Sequence, residues 1–302
     1  QTHSTALRSA RRPSLRHRGK ALQLMFFALL APSLLLFAGC SPLTLVNSIA
    51  PDDGFDSRQG ISYGRHERQK LDIYMPQDPL PGAPVIVFFY GGSWRNGERE
   101  KYRFVGQALS ARGYTTVIPD YRLYPQVRFP EFVEDGAAAV AWVDKNISLA
   151  EQGIVLLGHS AGAHLAALVV LDEHYLKMVQ VEQKSITGMI GLAGPYAFEP
   201  QNFRRFRDIF ATAVPPEVSQ PIHYARGDAP PLLLLHGADD STVLPFHSSM
   251  LAKAIRAKNG QVEEIYLPDV GHYSIILALS EPFVHLAPEV LPAIETFLQK
   301  MR

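Results

Sequence analysis

Ser160 stands at the centre of Gly158-His159-Ser160-Ala161-Gly162, directly after the apolar run Ile154-Val155-Leu156-Leu157 and directly before a helical pattern beginning at Ala161. Glycines on both sides of a serine at a strand-to-helix turn have a mechanical meaning. The two backbones pass so close that a side chain at either glycine clashes, while the serine is held strained and exposed. The turn also sets the hydroxyl at a helix N-terminus, where unpaired N–H groups and the dipole favour developing negative charge. Nucleophilic attack is the chemistry this position suits. A serine hydroxyl is almost wholly protonated at neutral pH, so it needs a base, and the base needs an orienting carboxylate.

Both are present downstream. Leu232-Leu233-Leu234-Leu235 runs into His236-Gly237-Ala238-Asp239-Asp240, an apolar strand ending in a turn with two carboxylates. The strand pattern near Ile265-Tyr266-Leu267 is followed by a loop carrying His272. Ser160, the aspartate pair and His272 all fall just past the C-terminal ends of candidate strands, where open parallel sheets bind ligands. Plainer duties compete: either aspartate as a cap for the helix near Phe246, and His272 as one of 11 histidines. His159 and His164 are tied to the turn and helix of Ser160 and are too near along the chain to approach it from across a site; His223 and His247 are remoter alternatives. Attack on a carbonyl also needs donors for the oxygen that becomes negative, each worth about 10²- to 10³-fold in rate. The run Val85 to Tyr90 ends in Gly91-Gly92-Ser93-Trp94, whose small residues let backbone N–H groups face a ligand. The N–H groups of Gly92 and Ser93, with that of Ala161, are the candidate donors, and Gly91 is assigned to the turn. A phosphate-binding glycine loop is excluded by the absence of a following Lys-Ser/Thr or a G-x-G-x-x-G spacing.

These residues need a scaffold of short apolar strands alternating with helices. Strands are expected at 71–74, 85–90, 115–118, 154–157, 187–192, 232–235 and 262–267, and helices at 101–112, 131–146, 161–175, 246–259 and 288–301. Alternation of this kind builds stacked βαβ units: an α/β fold with a mostly parallel sheet and helices on both faces. One domain is expected over 61–302, preceded by a Pro-, Gly- and Asp-interrupted tether over 40–60. The stretch of about 40 residues between Leu192 and Leu232 has the place and length of a small lid; Tyr196, Phe198, Phe203, Phe206 and Phe210 either face the site or pack the lid onto the body.

Ile118-Pro-Asp120-Tyr121-Arg122-Leu123-Tyr124-Pro125 is similar to the D-Y-R-L-x-P segment of the α/β-hydrolase fold, and the turn and helix from Gly158 to Leu168 are close to that fold's nucleophile elbow. Tyr90-Gly91-Gly92-Ser93 resembles the HGGG-type loop of esterases, with Tyr for His and Ser for the third Gly. His236 to Val243 resembles the pattern H-G-x-x-D-x-x-V. From residue 61 onward the chain therefore resembles α/β hydrolases, in particular bacterial esterases related to hormone-sensitive lipase and to acetyl- and feruloyl-esterases. The resemblance selects Asp240 over Asp239, makes His236, Arg122 and Asp135 structural, and implies a Ser160–His272–Asp240 triad cleaving a small-molecule carboxylic ester through an acyl-enzyme, with no metal and no cofactor. It does not separate esters from amides or thioesters, such as those an arylformamidase-like enzyme takes. A non-catalytic binding lipoprotein is the reading from another class.

Composition is that of an ordinary globular chain, 47% hydrophobic and 19% charged. Six basic and no acidic groups lie in residues 1–20, leaving 23 of the 29 basic groups against all 29 acidic ones from Cys40 onward. A mildly acidic body without a basic stripe excludes a nucleic-acid backbone binder. The basic start, the apolar run Ala21 to Phe37 and Ala38-Gly39 before Cys40 resemble the signal peptide and lipobox of bacterial lipoproteins. That resemblance implies removal of residues 1–39 and lipidation of Cys40. Ser41 after it resembles the outer-membrane sorting pattern, so the chain is expected in the bacterial envelope, anchored through Cys40 and facing the periplasm. An uncleaved signal anchor is the alternative. Cys40 is the only cysteine, so no internal disulfide is available to the body.

Overall fold

Apolar runs bounded by turn residues form the strands of one sheet in the computed structural model, which describes residues 42–302. The expectations for residues 1–39 and for Cys40 lie outside the described residues. The chain divides into Gln1–Leu45 and Val46–Arg302, and the second unit carries the whole sheet and the candidate site. Its strands are β1 (Phe55–Ser62), β2 (Lys70–Pro76), β3 (Val85–Phe89), β4 (Thr116–Pro119), β5 (Ile154–His159), β6 (Ile186–Leu192), β7 (Leu232–Gly237) and β8 (Val262–Leu267). They pair in the order β1-β2-β4-β3-β5-β6-β7-β8. β1 and β2 are antiparallel to each other, β2 is antiparallel to β4, and β3 to β8 run parallel. This mostly parallel sheet with its crossover helices is the α/β-hydrolase fold.

Helices in chain order are α1 (Pro42–Ile49), α2 (Arg103–Ser110), α3 (Glu131–Asn146), α4 (Ala161–Leu171), α5 (Glu173–Met178), α6 (Arg204–Arg207), α7 (Phe246–Ala257), α8 (Ser274–Leu277) and α9 (Val290–Gln299). α4 is buried along its whole length against β5 and β6, and its neighbour α3 packs on it through Gly136, where a Cβ would stand 2.4 Å from Leu165. Burying one Leu or Val of such an element stabilises by about 1.5–3 kcal/mol. Parallel register aligns Phe89, Gly158 and Gly191, so the connections leaving β3, β5, β6, β7 and β8 emerge along one edge of the sheet.

Two expectations are corrected. The segment 40–60 is not a bare tether: Pro42–Ile49 is helical and β1 begins at Phe55. β1 is an edge strand, largely exposed, so its residues Phe-Asp-Ser-Arg-Gln-Gly-Ile-Ser carry no apolar run. The expected helix 161–175 is two helices, because the Asp172 carboxylate accepts the His174 N–H and starts a new one. Arg103 ties the start of the unit to α2: its guanidinium donates to the carbonyls of Asn47 (2.6 Å), Ala50 (3.1 Å) and Pro51 (3.2 Å) and pairs with Asp52. Among the described residues no helix is long and apolar enough to cross a membrane.

Candidate active site

At the end of β5 the chain turns with Ser160 at φ 54°, ψ −120°, a region an L-residue occupies only under constraint. The constraint is packing. A Cβ on Gly162 would stand 2.0 Å from the Phe89 carbonyl oxygen, and one on Gly158 would stand 2.4 Å from that of Gly162. Only glycine lets β3, β5 and α4 meet here. The Ser160 N–H donates to the Leu192 carbonyl (2.9 Å) and Ala161 opens α4, so its N–H has no acceptor within the helix.

His272 follows β8 by five residues and reaches across the sheet edge. Its Nε2 lies 2.9 Å from Ser160 Oγ, and its Nδ1 lies 2.7 Å from Asp240 Oδ2. Asp240 is buried, and its Oδ1 accepts the N–H groups of Thr242 (2.8 Å) and Val243 (2.9 Å). Burial pushes its carboxyl up, but hydrogen bonds from His236, His272 and the Val243 N–H outweigh that and hold it well below the usual carboxylate range. The carboxylate is therefore ionised and accepts from Nδ1–H, which leaves Nε2 as the acceptor for the Ser160 hydroxyl. Asp239, the fallback, is exposed.

The remaining histidines have other duties. His236 is fully buried between Ser248 Oγ (2.7 Å from Nδ1) and the Val243 carbonyl (2.8 Å from Nε2), and so shapes the Asp240 turn. His159 donates from Nε2 to the His272 carbonyl (3.0 Å) and His164 from Nε2 to the Ser219 carbonyl (2.7 Å). Burial above all, and the neighbouring His272, lower the His159 pKa to about 3; burial lowers that of His164 to about 4. Both rings are neutral at pH 7. His247 is buried and His223 exposed, and neither touches Ser160.

The Gly91–Trp94 loop lies against the serine: a Cβ on Gly91 would stand 3.0 Å from Ser160 Cβ. Gly91, assigned above to the turn, thus packs directly against Ser160. Gly92, at φ 137°, admits no Cβ either, since one would meet the Asn96 carbonyl oxygen at 2.0 Å. Among the described residues the N–H groups of Gly92 and Ser93 have no acceptor, as candidate oxyanion donors require. Charged residues the sequence did not single out clamp this loop. The Tyr90 hydroxyl donates to Asp120 Oδ1 (2.6 Å), and Arg99 donates to Asp120 Oδ2 (2.6 Å) and Asp72 Oδ1 (2.8 Å). Arg68 reaches the Tyr90 hydroxyl (3.0 Å) and the Gly97 carbonyl (2.8 Å). Arg122 and Asp135 form a two-pronged pair, Nε to Oδ2 and Nη2 to Oδ1 at 2.8 Å each, away from Ser160.

Trp94 gathers the lid aromatics: its ring lies 4.8 Å from Phe210, 5.0 Å from His164, 5.7 Å from Phe206 and 6.0 Å from Phe198. Phe210 and Tyr196 are fully buried and hold the lid to the body, while Phe203 is half exposed. Among the described residues no group of three or more His, Cys, Asp and Glu is placed to hold a metal ion.

Residues 71–205 match the family model BD-FAE. The chain is 30% identical over 238 residues to esterase LipC of Mycobacterium tuberculosis, covering 71% of this chain and 59% of that protein. It is 30% identical over 241 residues to a probable isoprenylcysteine alpha-carbonyl methylesterase of Oryza sativa, covering 70% and 58%. A shorter match, 31% over 140 residues and 46% of each chain, is to kynurenine formamidase of Danio rerio. The chain thus spans under two thirds of the length of these curated relatives. Esterase B of Lactobacillus rhamnosis superposes with a TM-score of 0.71 at 18% identity, covering 93% of this chain and 97% of that one, a likeness of fold.

Proposed function

We infer that this chain, an α/β hydrolase whose residues 71–205 match the BD-FAE family, is a carboxylesterase-type serine hydrolase. The observation that carries the reading is the continuous relay Ser160 Oγ–His272 Nε2 at 2.9 Å and His272 Nδ1–Asp240 Oδ2 at 2.7 Å. Its similarity to proteins named esterases supports the same class.

Ser160 Oγ attacks the ester carbonyl as His272 takes its proton, and ionised Asp240 stabilises the imidazolium. The N–H groups of Gly92, Ser93 and Ala161 receive the oxyanion, and the dipole of α4 adds to them. The tetrahedral adduct collapses, His272 protonates the leaving alcohol, and a water activated by the same ring releases the acid. Phe198, Phe206 and Phe210 pack on Trp94 and so occupy the space beneath a short lid, which supports short acyl or small soluble esters as the proposed substrates. A fluorophosphonate probe should label the protein and fail on Ser160→Ala; labelling that survives the substitution removes Ser160 from its role. Turnover of p-nitrophenyl palmitate faster than of the acetate would overturn the substrate class.

The match to kynurenine formamidase favours a second reading, an amide or thioester hydrolase with the same residues, since the steps up to the leaving group are shared. Rates on matched esters, formamides and thioesters decide between the two. We further propose that Cys40 is lipidated after removal of residues 1–39 and holds the body in the bacterial envelope, facing the periplasm. Incorporation of labelled palmitate, lost in Cys40→Ser, tests this.

A further inference from the structure

We propose that the lid face is a docking surface for an anionic phospholipid bilayer, which sets the mouth of the site against the headgroup layer. The proposal rests on the envelope location inferred above and not on the ester chemistry.

Five arginines form one exposed or half-exposed patch. Arg95 and Arg128 both lie over one ring, 4.3 and 5.6 Å from the Tyr124 centroid; Arg95 also donates to the Arg205 carbonyl (2.8 Å) and Arg128 to that of Asp208 (3.0 Å). Arg205 reaches Ser93 Oγ in the oxyanion loop (3.3 Å), which places the patch beside Ser160. Arg204 and Arg207 flank it on the exposed turn α6. Among the described residues none of the five is paired with a carboxylate, although Asp208, Glu199 and Glu217 lie in the same lid. From Cys40 onward the chain is net acidic, with 23 basic and 29 acidic groups, so this concentration of unpaired cations on one face is a charge segregation. Apolar side chains project from the same lid: Phe203 is 50% exposed and Val214 80%. Cations interleaved with exposed apolar groups suit a headgroup layer, which takes both.

Chain length gives the second argument. The segment from Asn47 to Asp52 is fastened by Arg103 to the start of α2, and α2, which follows the connection leaving β3, starts at the site's edge of the sheet. Cys40 precedes Val46 by six residues, at most about 20 Å of chain, so a lipid on Cys40 keeps the folded body within roughly that distance of the bilayer.

The test uses the full-length protein as cells process it, with Asn202→Cys carrying an environment-sensitive dye beside Phe203, and vesicles containing a headgroup-linked quencher. In vesicles of phosphatidylcholine with about one third phosphatidylglycerol the dye should be quenched, and salt or pure phosphatidylcholine should relieve it. With each basic residue near the surface contributing a factor of about five, Arg204→Gln with Arg207→Gln should shift the docked-to-undocked ratio about 30-fold. An unquenched dye, or quenching indifferent to those substitutions, overturns the proposal. So does a raised KM of the double variant for a soluble anionic ester with quenching unchanged, which would assign the patch to substrate. If Cys40 is not lipidated, co-sedimentation with the anionic vesicles reads docking directly, and Ser160→Ala should dock as the parent does whatever the esterase assays give.

Discussion

His159 holds His272 by its backbone and not by its ring. The Nε2–H of His159 donates to the His272 carbonyl at 3.0 Å, across 113 residues of sequence, while the two rings lie 4.9 Å apart. The residue just before Ser160 thereby fixes the loop that carries His272. Its ring must stay neutral to do so without opposing an imidazolium on His272, and burial keeps it so, with a pKa lowered to about 3.

Replacing His159 by Ala should therefore lower kcat about 10-fold, the order expected for one hydrogen bond that sets a reacting group's position, with KM for a short ester nearly unchanged. Gln at the same place should recover part of the loss. Steady-state kinetics on p-nitrophenyl acetate measure both, and a change confined to KM would sink the positioning role.

His164 and His247, like His159, have folded values below the ordinary 6.5, about 4 for each, chiefly through burial. As pH falls from about 6.5 toward 4, the unfolded chain takes up protons that the folded chain refuses, so stability declines over that window. Each such histidine contributes a slope of up to about 1.4 kcal/mol per pH unit. Asp240 adds its own loss only at lower pH, below its ordinary 3.8. Urea unfolding between pH 7 and 5 should show a shallower decline in His164→Gln than in the parent. Equal slopes would place the proton uptake elsewhere.

Asp120 receives Tyr90 from one end of the loop 91–98 and Arg99 from the other, and Arg99 also donates to Asp72. Asp120→Ala leaves a largely buried guanidinium short of a partner, a loss of about 3–5 kcal/mol, and lets the loop move from Ser160. Denaturant midpoints should show the destabilisation together with a fall in kcat. A loss under about 1 kcal/mol would mean that water or Asp72 alone satisfies Arg99.

What the sequence revealed follows from where the information sits. Ser160, Asp240 and His272 were visible because each lies next to a strand end, and a parallel sheet brings such ends together whatever the intervening chain does. The contacts His159–His272 and Asp72–Arg99–Asp120 were not, because they depend on which strands neighbour one another, and the order β2-β4-β3 is not written in any local pattern. β1 was missed for a related reason: an exposed edge strand has no apolar period to display. Among the lid aromatics, side-chain type alone did not tell Phe210, fully buried, from Phe203, half exposed.

Arg103 has a mechanical consequence. Its guanidinium gathers the carbonyls of Asn47, Ala50 and Pro51 at the start of α2, before the chain enters β1. A pull transmitted along the chain from its N-terminal side is borne first by Arg103, by the Asn47 side chain, which donates to the Glu100 carbonyl (2.6 Å) and accepts the Phe104 N–H (3.1 Å), and by the helix behind them. The edge strand, a zipper of single hydrogen bonds that would open one at a time, lies downstream of the load.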